Sequence, residues 1–105
     1  MKTGCRYPTE EVARLAREGS FRPTKEVATK LINRNVDAND KIVELLTTLS
    51  THGRFKSCAQ LKDGGIGDEY IVKSEEDGYD WYVKFKVADK LVWVLSCKWD
   101  GVGYW

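Results

Sequence analysis

The stretches Trp81-Tyr82-Val83-Lys84-Phe85-Lys86-Val87 and Lys90-Leu91-Val92-Trp93-Val94-Leu95-Ser96-Cys97-Lys98 decide the fold. Both alternate in character, as β-strands do, because successive side chains of a strand point to opposite faces of its sheet. The apolar face of the first strand holds Trp81, Val83, Phe85 and Val87, and the other face holds Tyr82, Lys84 and Lys86. The second strand has an apolar set of Leu91, Trp93, Leu95 and Cys97, opposite Lys90, Val92, Val94, Ser96 and Lys98. We therefore predict a sheet with one core face and one open face.

The rest of the second half of the chain also has the pattern of short strands. Further strands are predicted at Arg54 to Ala59 and at Glu69 to Lys73. Asp77-Gly78 is a hairpin signal, and Ala88-Asp89 is predicted to turn the next hairpin. The glycine-rich segment Lys62 to Gly67 is predicted as a plain loop, because it lacks the lysine and Ser/Thr of a P-loop. These strands are expected to form an antiparallel meander.

The first half of the chain has the apolar spacing of helices. One helix is predicted over Thr9 to Arg17, with Thr9 as its N-cap and a stop at Gly19. A second helix is capped by Thr24, and a third begins at Asp37 or Asn39. Three helices before a meander predict an α+β domain in which the helices pack on one face of the antiparallel sheet.

Length and charge limit the classes of function. The chain has 105 residues, which suits a single domain spanning residues 1–105. Lys and Arg number 17 against 16 acidic residues, so the formal net charge is only +1. A nearly neutral chain has no overall field that would attract nucleic acid or a membrane. Any site for a polyanion must therefore be local.

The cysteines and the hydropathy bear on the compartment. Cys5, Cys58 and Cys97 are odd in number and lack the close pairs of a zinc site or a disulfide framework. We expect Cys97 to be a small buried hydrophobe, and we expect the protein to be cytoplasmic. No run approaches the roughly 20 apolar residues of a membrane span, so no membrane partner is predicted.

Polar side chains are expected to gather on the open face of the sheet. They are Tyr82, Lys84, Lys86, Ser96 and Lys98, joined by Arg54, Lys56 and Cys58 of the first predicted strand. Such a face could receive a phosphate backbone. The alternative is that the lysines only solvate the face or protect an edge strand. Alternation fixes which residues of one strand share a face, but it fixes neither the strand order nor the register.

Other candidates for chemistry are few. His52 is the only histidine, so a mechanism with two histidines is excluded, and we expect His52 in the turn before the first strand. The acidic residues around Glu75, Asp77 and Asp80 are interpreted as a charged hairpin tip and not as metal ligands. The sequence therefore predicts no metal site and no cofactor.

Short motifs in a fixed order add a resemblance to a known family. They are Phe55-Lys56-Ser57, Asp68-Glu69-Tyr70, Tyr82-Val83-Lys84-Phe85-Lys86-Val87 and Val94-Leu95-Ser96-Cys97-Lys98. In order and spacing they resemble the motility quorum-sensing regulator (MqsR) family, ribonuclease toxins of bacterial toxin-antitoxin systems with a RelE-like fold. The likeness covers roughly Tyr7 to Lys98. It implies a RelE-like arrangement of the predicted helices and sheet.

The resemblance also implies an activity and a site. The family's catalytic residues correspond to Lys56, Tyr82 and Lys98, and we expect Arg54, Lys84 and Lys86 to bind RNA. The implied reaction is cleavage of single-stranded mRNA through its own 2′-hydroxyl, without metal or cofactor. Where the family has a glutamine before its Asp-x-Tyr motif, this chain has Gly67, and Gln60 is a weaker candidate for that role.

The implied partners are an mRNA substrate and a cognate antitoxin protein, in the bacterial cytoplasm. Two alternatives stay open. One is a catalytically inactive relative that binds RNA or a protein through the same sheet face. The other is a phage-encoded inhibitor or interaction protein that uses the charged face and the aromatic residues after Lys98.

Overall fold

The computed structural model describes residues 7–62 and 65–101 of the chain. Within these residues the elements are α1 (Thr9–Arg17), β1 (Phe21–Pro23), α2 (Lys25–Asn33), α3 (Ala38–Thr47), α4 (Leu49–His52), β2 (Gly53–Gln60), β3 (Ile66–Lys73), β4 (Asp80–Ala88) and β5 (Leu91–Trp99). Helices precede a sheet, so the predicted α+β class is confirmed. The short helix α4 is an addition to the three that the sequence predicts.

One five-stranded sheet has the order β1-β5-β4-β3-β2. Strands β2 to β5 pair with their sequence neighbours in antiparallel fashion, which confirms the predicted meander. The short strand β1 was not predicted, and it pairs parallel with β5 through Phe21 and Val92. The first part of the chain is thereby tied to the last strand of the sheet.

The turn between β4 and β5 corrects one strand boundary. Asp89 and Lys90 have φ values of 55° and 59°, so both central residues of this two-residue turn are left-handed. A left-handed pair is typical of the type I′ hairpin turn, whose twist matches that of the flanking strands. Lys90 therefore belongs to the turn, and β5 begins at Leu91.

Local hydrogen bonds explain where the helices begin and end. Helix α1 ends in a Schellman motif, in which Gly19, at φ 80°, donates to Ala16 O and Ser20 N donates to Leu15 O. Pro8 and not the predicted Thr9 occupies its N-cap. The predicted cap Thr24 accepts a hydrogen bond from Val27 N. No helix in residues 7–62 and 65–101 has the length and apolarity of a membrane span.

The core lies between the helices and one face of the sheet. Its side chains with no more than 1% exposure include Val12, Leu31, Ile42, Leu45 and Leu46 from the helices and Val72, Trp81, Val83, Phe85, Val92 and Val94 from the strands. The helices supply an apolar stripe and the strands supply every second residue, as the alternation in β4 predicts. The opposite face of the sheet carries polar side chains, among them Tyr82, Lys84 and Lys98.

A β-bulge in β5 overturns part of the predicted alternation. Phe85 pairs with Val94 while its neighbour Lys84 pairs with Ser96, so Leu95 is an extra residue between them. The core face of β5 therefore holds Val92, Val94 and Cys97, and the prediction that Leu91, Trp93 and Leu95 face the core is wrong. Trp93 is 37% exposed. A bulge reverses the in-out pattern along a strand, and simple alternation cannot reveal it.

The cysteines follow the sequence analysis only in part. Cys97 is free and buried, as predicted, and burial raises the pKa of its thiol to about 12. Cys58, by contrast, is disulfide-bonded, to a partner outside the described residues, although the spacing of the cysteines suggested no disulfide. Cys58 also pairs with the buried Asp68, on the core side of the sheet and not on the open face where it was expected.

A buried lysine joins α3 to the β3–β4 hairpin. The Nζ of Lys41 lies 2.9 Å from Glu44 Oε1, 3.2 Å from Asp77 Oδ2 and 2.6 Å from Glu76 Oε1. The side chain of Lys41 is only 2% exposed. Burial alone would lower the pKa of Lys41, but hydrogen bonds to Glu76, Glu44 and Asp77 raise it. The ammonium is therefore charged and fully partnered inside the fold.

The carboxylates of this cluster make further contacts with the hairpin. Glu44 accepts hydrogen bonds from Ser74 Oγ and from the backbone N–H of Glu75. Asp77 accepts a hydrogen bond from Trp81 Nε1, whose indole belongs to the core. The acidic residues that the sequence placed at a hairpin tip thus connect the tip to the helix layer.

Replacing Lys41 with Met is expected to destabilise the protein by about 3 kcal/mol, because it leaves Glu44 and Asp77 without a counter-charge in a partly buried site. Urea unfolding at neutral pH measures the effect. The matched control is Lys30→Met, which removes an exposed lysine paired with Glu26 at 3.3 Å. That change should cost less than about 1 kcal/mol. Equal decreases in the free energy of unfolding of the two variants would contradict the structural role of Lys41.

Candidate functional site

An open depression of about 560 Å³ lies on the face of the sheet opposite the core. Its lining residues are Lys56, Tyr82, Lys84, Ser96, Lys98, Asp100 and Gly101. The three residues that the resemblance marks as catalytic, Lys56, Tyr82 and Lys98, therefore share one depression. Lys84, which was expected to bind RNA, lies there as well.

The strand register explains why these side chains meet. Tyr82 on β4 pairs with Lys98 on β5, and two residues further along β4 Lys84 pairs with Ser96. Paired residues point to the same face of an antiparallel sheet. Because the bulge at Leu95 lies between the core residues Val94 and Cys97, Ser96 and Lys98 face the open side.

A second bulge, in β2, places Lys56 and Ser57 on the same side of the sheet. Phe55 pairs with Tyr70 while Ser57 pairs with Glu69, so Lys56 is the extra residue of β2. Its Nζ lies 5.2 Å from the centroid of the Tyr82 ring. The Nζ of Lys98 lies 5.7 Å from the same centroid. Tyr82 thus has two ammonium groups at cation–π distance.

Glu69 fixes the hydroxyl group of Tyr82. Its carboxylate accepts hydrogen bonds from Tyr82 Oη, at 2.5 Å, and from Ser57 Oγ. Burial alone would raise the pKa of Glu69, but the hydrogen bonds from Ser57 and Tyr82 and the charges of Lys84 and Lys56 lower it. Glu69 is therefore an anion within the group of lysines.

The same contact keeps Tyr82 protonated. Burial, the hydrogen bond to Glu69 and the negative charge of Glu69 all raise the pKa of Tyr82. An anionic tyrosine beside a carboxylate would be electrostatically unfavourable. At neutral pH the site therefore holds a neutral phenol, whose ring contacts ammonium groups and whose hydroxyl position is fixed.

The two remaining residues expected to bind RNA lie beside the depression. Lys86 lines a neighbouring depression on the same face, together with Lys84. Arg54 is exposed and pairs with Ile71, which in turn pairs with Tyr82, so it lies on the open face in the same cross-strand row. The structure thus groups Lys56, Tyr82, Lys84 and Lys98, with Lys86 and Arg54 at the margins.

Sequence reasoning missed Glu69 and Ser57. Simple alternation from Arg54 places Lys56 and Cys58 on the open face and Ser57 on the other. The bulge at Lys56 instead turns Ser57 to the open face and Cys58 to the core side. Glu69 was quoted only as part of a motif and was not assigned a role. A signal was present nonetheless, since an acidic residue next to the buried Asp68 and Tyr70 must point to the opposite face of β3.

Gly67 occupies the position where the family has a glutamine. It pairs with Ala59, and a Cβ atom on Gly67 would lie 2.9 Å from the carbonyl oxygen of Phe85. That distance is too short for a side chain to be added without moving the backbone of β4. This position therefore requires glycine in the present structure, and no amide can project from it.

His52 and the acidic residues of the β3–β4 hairpin do not line the depression. His52 lies in α4, where its Nε2 is 3.3 Å from Glu75 Oε2. Its Nδ1 lies 2.9 Å from Thr51 Oγ1. Over the described ranges, 7–62 and 65–101, His, Cys, Asp and Glu side chains form no group of three or more that could hold a metal ion.

Replacing Glu69 with Gln is expected to lower the free energy of unfolding at neutral pH by about 1 kcal/mol, because the charged acceptor of two hydrogen bonds is lost. The loss is no larger because solvent weakens these interactions at a half-buried position. The pKa of Glu69 is lower in the folded protein than its ordinary value of 4.5. The carboxylate therefore stabilises the fold above pH 4.5, and this contribution disappears as the pH falls through the lowered value.

Urea unfolding of both proteins across the acid range measures this difference. The difference in free energy of unfolding between wild type and Glu69→Gln should decrease steadily as the pH is lowered. Glu10→Gln, at an exposed position of α1, is the matched control for the removal of one carboxylate. A difference in free energy of unfolding that stays constant down to the pH at which the protein unfolds would contradict the described contacts of Glu69.

Comparison of the chain with protein-family models, with curated proteins and with solved structures finds no match. The likeness to the MqsR family consequently rests on the motifs quoted from the sequence. The assignment of a function has to rest on those motifs together with the geometry of the depression.

Proposed function

We propose that this protein is a metal-independent endoribonuclease that cleaves single-stranded mRNA through attack of the ribose 2′-hydroxyl. The observation that carries the proposal is the convergence of Lys56, Lys84 and Lys98 around Tyr82 in one open depression. The chain as a whole has a formal net charge of only +1, so this concentration of positive charge is local. A phosphodiester is an anion that such a group of ammonium ions would attract.

The shape of the depression suits an extended strand. It lies on an open sheet face and is broad, so a single strand can cross it with its phosphates directed at the lysines. The exposed Arg54 extends the positive surface along the same cross-strand row as Tyr82 and Lys98. A local basic surface on an otherwise nearly neutral chain is typical of backbone recognition.

The proposed reaction has three requirements. The 2′-oxygen forms a bond to phosphorus while its proton passes to solvent water, the bond from phosphorus to the 5′-oxygen breaks, and that oxygen gains a proton. The products end in a 2′,3′-cyclic phosphate and a 5′-hydroxyl. Ammonium groups of Lys56 and Lys98, fixed beside Tyr82, would stabilise the added negative charge on phosphorus, an effect worth about 3 kcal/mol per preorganised donor.

Tyr82 would serve as a donor in this reaction. Its raised pKa keeps the phenol protonated at neutral pH, so it is unsuited to accept the 2′-proton as tyrosinate. A neutral phenol can donate a hydrogen bond or a proton to an oxygen that gains charge. Glu69 would position Tyr82 without contacting the substrate, because its two hydrogen-bond contacts are with the protein.

The biological role that follows is that of a type II toxin, inhibiting translation and growth in the cytoplasm. This part of the proposal is supported by the resemblance to MqsR toxins, which implies a cognate antitoxin. Co-expression with the product of an adjacent gene should relieve growth inhibition if the role is correct. Growth inhibition that needs intact Lys56 would link the role to the depression.

A second candidate is a module that binds RNA or a protein through the same face without cutting RNA. Gly67 favours this candidate, because the family places a glutamine there and the structure leaves no space for a side chain. A phage-encoded inhibitor would be one form of it. The two candidates differ in one observable, namely whether RNA is cleaved.

Lys56→Ala and Lys98→Ala are each expected to reduce cleavage about 100-fold or more, since each removes a donor to the phosphate. Both side chains are exposed, so the fold should be retained. The assay incubates purified protein with ribosome-free RNA and with ribosome-programmed mRNA in a chelator, and analyses fragment ends for 2′,3′-cyclic phosphate. Lys25→Ala, an exposed change in α2, is the matched control and should cleave normally.

Two results would contradict the proposal. Normal cleavage by either site variant would show that the assigned residues are wrong. Absence of cleavage of both substrates by the unsubstituted protein would favour the binding module.

RNA affinity is expected to fall with added salt, because lysines that contact phosphates release bound counterions. Each of Lys56→Ala, Lys84→Ala and Lys98→Ala should lower the slope of log affinity against log salt by about 0.7, the value for one phosphate contact on a single strand. Fluorescence anisotropy with a 2′-deoxy oligonucleotide, which cannot be cut by this mechanism, measures the slopes. Slopes that match that of Lys25→Ala would exclude these lysines from backbone contact.

A further inference from the structure

A second depression of about 420 Å³ lies on the same face, next to the candidate site. Its walls include Gln60, Leu61, Lys84, Lys86 and Leu95. Lys84 also lines the first depression, so the two are contiguous. The second differs in character, since two leucines and an amide accompany its lysines.

Its position follows from the bulge in β5 and from Gly67. Leu95 is the extra residue of the bulge, and its half-buried side chain lines the depression. Leu61 extends over Gly67, with Cδ2 at 3.5 Å from the place where a Cβ of that glycine would lie. The backbone N–H of Leu61 donates to Gly65 O at 2.9 Å, which fixes the start of the loop. Leu61 thus covers the side of Gly67 on which a side chain would lie.

This combination of groups matches a nucleobase. A base has two apolar faces, which pack against aliphatic or aromatic side chains, and a polar edge of donors and acceptors. The amide of Gln60 offers both a donor and an acceptor to such an edge. Lys84 and Lys86 lie two residues apart on β4, or about 7 Å, comparable to the distance between successive phosphates of an extended strand.

We infer that this second depression holds the base of a nucleotide adjacent to the scissile phosphate and sets the sequence preference of the enzyme. The inference rests on the proposed ribonuclease function. Leu61 and Leu95 contact the face of the base, Gln60 contacts its edge, and Lys86 contacts the next phosphate. The lysines of the first depression act on the phosphate that is cut.

The test uses a short RNA that contains a mapped cut site, together with versions that carry one abasic ribose at each position within two nucleotides of the cut. The value of kcat/KM is measured for wild type, Leu95→Ala, Gln60→Ala and Ile32→Ala. Ile32 is 65% exposed on α2 and outside the depression, so Ile32→Ala is the matched aliphatic control. Circular dichroism establishes that each variant is folded.

In wild type, one abasic position should lower kcat/KM about tenfold, the size expected for one base contact. The decrease in kcat/KM caused by the abasic ribose at that position should be only about threefold or less in Leu95→Ala and in Gln60→Ala. In Ile32→Ala the decrease should equal that of wild type. If Leu95→Ala does not fold, Gln60→Ala decides, because the side chain of Gln60 is exposed.

Failure of the base-subsite inference can be distinguished from failure of the proposed ribonuclease function. Cleavage with the same abasic losses in every variant would overturn the base subsite and leave the ribonuclease proposal standing. No cleavage of the intact RNA by the unsubstituted protein would overturn both.

Discussion

The β-bulge at Leu95 is the constraint on which the candidate site depends. Val94 and Cys97 both face the core, and in a regular strand two residues separated by three positions would point to opposite faces. The extra residue resolves this conflict and turns Ser96 and Lys98 to the open side. A regular strand in the register of Val92 and Val94 would direct Lys98 at the helices. The bulge at Lys56 has a similar effect on the first strand of the meander, where it brings Lys56 and Ser57 to the same side.

Much of the fold could be predicted from the sequence, because most of it follows from local periodicity. The meander, the helices and the open face of β4 with Tyr82, Lys84 and Lys86 were all correctly predicted. The errors fall where periodicity is interrupted. The sequence analysis places Trp93 and Leu95 in the core and Cys58 on the open face, because a bulge is determined by pairing and not by the residue pattern of one strand. The parallel pairing of β1 and the buried Lys41 depend on contacts far apart in sequence, which no local window contains.

The distribution of charge connects the stability of the fold to the character of its open face. Three carboxylates, of Glu44, Glu76 and Asp77, converge on Lys41 at the hairpin and share this one buried cation as their partner. Lysines collect at the other side of the sheet, around Tyr82, where the carboxylates of Glu69 and Asp100 accompany them. A composition that is nearly neutral overall thus yields two regions of opposite character, because the fold separates the charges in space. The carboxylate of Glu69 contacts Tyr82 and orders its phenol. The three lysines of the depression still outnumber its carboxylates.

The parallel pairing of β1 with β5 has a consequence for synthesis of the chain on the ribosome. Phe21 emerges early, whereas its partner Val92 is among the last residues of the sheet to be made. The helices and the first hairpin can form during translation, but the sheet edge that receives β1 does not exist until β5 has left the exit tunnel. Lys98 belongs to that same strand. The nascent protein therefore cannot assemble the complete depression, including Lys98, until β5 has left the exit tunnel.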